Sequence, residues 1–142
     1  MPTLYSYIKK VDSVTTHTLR LPELQSMGTQ SGQEIASLPD GRTVVVLFDG
    51  YTLPMEQPAE IAASVEVLPS PLPSDLREAI KAASPQVRLI NERVVAQIRA
   101  RYSQDDEIGL LRRAPSAETS AWSAWVEDCR AWGRGEKAKL GL

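Results

Sequence analysis

The chain is poor in the residues that usually carry chemistry. It has one cysteine, Cys129, in 142 residues. No internal disulfide can form, so secretion would give it nothing to staple, and synthesis in a reducing compartment is expected. It has one histidine, His17. A metal site or general base needs convergent partners. His17 stands in a threonine-rich segment with no second histidine, cysteine or carboxylate cluster nearby in sequence, so a surface or edge-strand histidine is expected. The glycines form no phosphate-binding loop, since "DGRTVVVLFDG" contains neither a GxxxxGK nor a GxGxxG pattern. Asp12, Asp40 and Asp49 lack the ligand spacing of a calcium loop. No apolar run approaches the ~20 residues a membrane-spanning helix requires. The start, "MPTLYSYIKKVDS", has no apolar core of a signal peptide. These absences lead us to expect no enzyme, no catalytic residue, no metal, no cofactor and no membrane partner.

Charge of one sign is also lacking. The formal net charge is −2, with four Lys/Arg against eight Asp/Glu in residues 1–73 and twelve against ten in residues 74–142. Neither half offers a polyanion-binding surface, and no nucleic-acid partner is expected. The weaker alternative of a small nucleic-acid-binding regulator would rest on the short basic "RGEKAK" stretch near the C-terminus.

What is present is a change of character near residue 69. The first half reads as strands and the second as helices, and Pro54, Pro58, Pro69, Pro71 and Pro73 punctuate the changeover. Proline fixes φ and removes a backbone donor, so "VLPSPLPS" continues neither a strand nor a helix and reads as a stiff connector. The expected fold is α+β: a small antiparallel β module over 1–68, a connector over 69–73, and a helical module of three to four helices over 74–142. Each half is near the size at which a lone core is marginal.

In the first half, "TLYSYIKKV" and "VTTHTLRL" are strand candidates, and residues 25–34 read as a polar loop. The strongest β signal is a hairpin: "EIASL", a "PDGR" turn with Asp40-Gly41 supplying positive φ, then "TVVVLF". "SVEVL" at 64–68 is a further strand, with Val65 and Val67 on one face.

In the second half, Ser74-Asp75 with Glu78 forms a capping box for a helix to about Ala83. Ser84-Pro85 opens the next helix, whose stripe is Val87, Ile90, Val94, Ile98 and Tyr102. Ser103 caps a third helix, with Asp105, Asp106 and Glu107 in its first turn. Consecutive positions on a helix diverge, so these three acids cannot converge on one ion. Ser116 caps a final helix from about Ala117 to Trp132, with Trp122, Trp125, Val126, Cys129 and Trp132 on one face. Cys129 reads as a small core residue rather than a nucleophile. The tail "GRGEKAKLGL" is expected to fray.

Tryptophan is enriched at interface hot spots, and a helical unit this small has little area to bury three indoles. Trp125 is expected inside, and Trp122 or Trp132 at least partly in an interface. The stripe Val87, Ile90, Val94 and Ile98 is a second candidate, for helix association and self-association.

The stretch "ARYSQDDEIGLLRRAPSAETSAWSAWVEDCRAWG" resembles the C-terminal region of small proteins encoded beside tail-fibre genes in tailed bacteriophages, the tail-fibre assembly chaperone and minor tail protein group. The similar elements are Arg101 and Tyr102 before an acidic helix start, the Leu110-Leu111-Arg112 group, and the closing helix with Trp122, Trp125 and Arg130. The resemblance covers the last 45 residues or so, and the front only in layout. It implies a structural protein of the virion tail, made in the host cytoplasm and acting through protein–protein contacts with a tail-fibre or baseplate protein. Two roles follow from it: an adaptor between fibre and baseplate that stays in the particle, or an assembly chaperone that leaves.

Overall fold

The computed structural model describes residues 2–22 and 30–142. The fold is α+β. In chain order its elements are β1 (Thr3–Ile8), β2 (Lys10–Val11), β3 (Thr16–His17), β4 (Gly32–Ser37), β5 (Arg42–Leu47), α1 (Ala59–Ala62), β6 (Glu66–Val67), α2 (Ser74–Ala83), α3 (Pro85–Arg99), α4 (Gln104–Leu111) and α5 (Ala117–Lys139). One antiparallel sheet has the order β4-β5-β1-β6, and β2 pairs with β3 in a separate hairpin.

β5 is central in the sheet, and its run of Val44, Val45, Val46 and Leu47 is buried on both faces. On one face Val45 joins Tyr7, Leu19 and Ile61, with Leu53 and Val65 packed against them. The other face carries Val44 and Val46, set opposite Ser6 and Leu4 by register. Each such buried valine stabilises the fold by roughly 1.5–3 kcal/mol relative to exposure. β4 closes tightly on β5: a Cβ at Gly32 would lie 2.5 Å from the Val46 carbonyl oxygen, so only glycine fits.

The hairpin between β4 and β5 forms where expected, but its turn is a three-residue loop. Leu38 N–H donates to the Arg42 carbonyl at 2.8 Å and Gly41 N–H to the Leu38 carbonyl at 3.1 Å. Only Gly41 takes positive φ, at 93°. Asp40 keeps negative φ and instead accepts from Arg42 N–H and Nε at 3.0 and 2.8 Å. Of the expected loop over 25–34, residues 25–29 lie outside the described residues. Gly32, Gln33 and Glu34 belong to β4. The expected second strand contracts to Thr16–His17, where a loop closed by the Asp12 carboxylate, accepting from Val14 and Thr15 N–H, replaces extended pairing. β6 keeps two residues of "SVEVL". Val65 packs on the core cluster, whereas Val67 is exposed at the sheet edge.

The chain forms two compact units. Residues up to Gln86 together with Lys139–Leu142 make the first, and Val87–Ala138 the second. The division therefore falls beyond α2 rather than in the proline segment 69–73. Helix α2 packs on β4, with Ile80 fully buried, and Gln86 Nε2 donates to the Glu34 carbonyl at 2.8 Å. The capping box expected for α2 does not form. Pro73 occupies the N-cap without a side-chain bond, and its carbonyl accepts from Arg77 N–H at 2.9 Å, so Ser74 is already helical.

The C-terminal end is ordered by contact rather than frayed. α5 continues through Gly133 and Gly135 to Lys139. Leu140 is buried, and Gly141, at φ 81°, sits against Leu4.

Candidate functional site

The residues expected to meet a partner lie mainly in the helical unit, and the structure sorts them by what they touch. α3 begins at Pro85 as its sequence predicts. Its stripe is engaged inside the molecule: Val87 and Ile90 are buried, and Val94 and Ile98 are half-buried. Gly133 of α5 lies against this stripe, so that a Cβ there would be 2.6 Å from Val94 Cγ2 and 3.8 Å from Ile90 Cγ2. Ile90 and Val94 of the face expected to associate with a partner helix therefore serve α3–α5 packing.

Trp122, Trp125 and Trp132 are all half-buried, so Trp125 is less internal than its place on the stripe predicts. The Trp125 indole N–H donates to the Gln97 carbonyl at 3.2 Å, and the Arg101 guanidinium lies 4.9 Å over its ring. Both contacts fix the half-buried indole, which lies beneath an exposed guanidinium.

Trp122 belongs to a polar junction centred on Glu107. The Glu107 carboxylate accepts from Trp122 Nε1 at 2.9 Å and from Arg99 Nη1. The Arg99 hydrogen bond first, then that of Trp122, holds the Glu107 carboxyl below its ordinary range. One side chain thus ties α3, α4 and α5 together. Its neighbour Asp106 has a different task. Ser103 Oγ accepts from Asp106 N–H at 3.0 Å while Asp106 Oδ2 accepts from Ser103 N–H at 2.9 Å, a reciprocal capping box. These bonds pull the Asp106 carboxyl below its ordinary range. The three acids of the first turn do diverge: Asp106 caps, Glu107 points to Arg99 and Trp122, and Asp105 is exposed.

At the start of α5, Ser116 N–H donates to Thr119 Oγ1 at 2.7 Å, and Thr119 N–H donates to Ser116 Oγ at 3.4 Å. Cys129 is buried at 2% exposure, and burial pushes its thiol above the ordinary value, which makes it a poor nucleophile. His17 lies in β3, half-buried, with Nδ1 3.5 Å from Glu60 Oε2. Among the described residues, no group of three or more His, Cys, Asp or Glu could hold a metal ion. No helix among them is long and apolar enough to cross a membrane.

Two shallow grooves flank α4 within the helical unit. One, of about 440 Å³, includes Arg101, Asp105, Gly109 and Leu110. The other, of about 420 Å³, includes Glu107, Ile108, Leu111 and Trp122. α4 buries only Leu110 and turns Ile108 and Leu111 outward, at 48% and 70% exposure. In the sequence Leu111 stands out only within the Leu110-Leu111-Arg112 group that carries the resemblance, and neither residue is expected at an interface. Which of Ile108, Leu110 and Leu111 faces inward is decided by where α3 and α5 lie. Comparison with family models, curated proteins and solved structures gives no match at any of the three levels.

Proposed function

We propose that this chain is a non-enzymatic bacteriophage tail component, an adaptor that joins a tail-fibre protein to the baseplate and remains in the virion. The observation that carries the reading is the outward presentation of large apolar side chains by the helical unit: Leu89, Val95, Ile108 and Leu111 are all exposed. Ile108 and Leu111 line one groove with Trp122, and grouped apolar side chains of this kind suit a partner-binding surface. Division into two compact units supplies separate surfaces for two partners. The resemblance over the last 45 residues or so supplies the tail context.

Mass spectrometry of purified phage particles that encode this chain tests the proposal. The adaptor reading expects the protein in fixed stoichiometry with fibre and baseplate subunits. Its absence from particles, with co-purification on fibre protein in lysates, would make it an assembly chaperone instead.

A further inference from the structure

We propose that α4 is a self-association element, which pairs antiparallel with the α4 of a second copy across a two-fold axis between Ile108 and Gly109. This surface is distinct from the α3 stripe, which is used internally, and the proposal does not depend on the tail assignment.

Three observations converge on it. The first is charge. Asp105 and Arg112 are exposed, and neither makes an ion pair or side-chain hydrogen bond among the described residues. They lie at opposite ends of the outward face with Ile108 between them, since positions i, i+3 and i+7 share one side of a helix. Seven residues span about 10.5 Å of helix. An antiparallel partner centred between Ile108 and Gly109 sets Asp105 opposite the second copy's Arg112, and Arg112 opposite the second copy's Asp105. One helix face thus carries the two halves of a reciprocal ion-pair set, which is the self-complementarity a two-fold interface requires.

The second observation is apolar exposure. Ile108 and Leu111 are the large apolar residues that α4 leaves uncovered. The third is Gly109. Glycine weakens a helix interior relative to alanine, and it is usually retained for close packing or a special φ. Gly109 has neither reason inside the molecule: its φ is not positive, and a Cβ there would meet nothing within 4 Å. In the antiparallel pair Gly109 faces the second copy's Ile108, where a missing side chain provides the hole for that knob.

An interface built on one eight-residue helix is small, so the dimer is weak, with a Kd on the order of 100 µM. Sedimentation equilibrium of the full chain from about 10 µM to 1 mM tests it. The expected result is a concentration-dependent dimer. Arg112→Glu and Asp105→Arg should each weaken it on the order of tenfold by opposing like charges, and the double reversal should restore it. Both positions are exposed and unpaired, but each reversal opposes the dipole of α4, so circular dichroism of every variant must first show that the helix is kept. Gly109→Leu should abolish the dimer while leaving the monomer folded. A chain that stays monomeric to 1 mM, a dimer indifferent to the single reversals, or a double reversal that fails to restore association would each overturn the proposal.

Discussion

Gly133 on α5 and Val94 on α3 approach so closely that a Cβ on Gly133 would lie 2.6 Å from Val94 Cγ2. No real Cβ contact is that short, and valine cannot swing aside cheaply, because its branched side chain has one favoured rotamer in a helix. Glycine at this position lets the two helices meet, and it explains why α5 passes through a residue that weakens helices.

Gly133→Ala should therefore destabilise the protein. Alanine gains about 1 kcal/mol of helix propensity, but overpacking against Val94 costs about 1–3 kcal/mol. Gly135→Ala is the matched control, because a Cβ there meets nothing within 4 Å. It should stabilise by up to about 1 kcal/mol. Urea denaturation should move the two midpoints in opposite directions. Equal shifts would mean that Gly133 is not a packing contact.

Acid should weaken the helical unit through Glu107. Its folded carboxyl lies below the ordinary value of 4.5, chiefly through Arg99 and then Trp122. The stabilisation is therefore fully present above about pH 4.5 and is lost as pH falls through the lower, folded value. Asp12, Asp40 and Asp106 are lowered as well, so the informative quantity is a difference. Glu107→Gln should be less stable than the wild type near about pH 7, and the two should converge towards about pH 3. A stability gap that does not change with pH would assign Glu107 a packing role only.

Removing a cap should cost more at Ser103 than at Ser116. Ser103 accepts at 3.0 Å within a complete reciprocal box, whereas Ser116 Oγ accepts at 3.4 Å. Ser103→Ala should lose about 1 kcal/mol and Ser116→Ala clearly less. Thermal denaturation of the two variants measures the difference, and a larger loss at Ser116 would contradict the assigned geometry.

Much of this molecule was decided by its sequence alone. The strand–turn–strand of β4 and β5 follows from an apolar segment and a β-branched segment on either side of Pro39-Asp40-Gly41. The starts of α3, α4 and α5 follow from Pro85, Ser103 and Ser116. All of these depend on chemistry within a few residues: a fixed φ, a side chain that satisfies a free N–H, or a glycine that takes positive φ. The divergence of Asp105, Asp106 and Glu107 follows equally from helix geometry.

Tertiary structure decided the rest, because the remaining choices depend on residues far away in the chain. β5 became one of the two interior strands, and both of its faces found cover. α2 joined the sheet rather than the other helices because Ile80 is buried in that unit and α2 packs on β4. α5 outran its glycines because Gly133 met Val94, and beyond its end Leu140 was buried and Gly141 met Leu4 of β1. Within α4, the packed helices left Leu110 inside and Ile108 and Leu111 outside. A run of similar apolar residues does not encode that selection. It arises only when neighbouring elements exclude water from one side of the helix and not from the other.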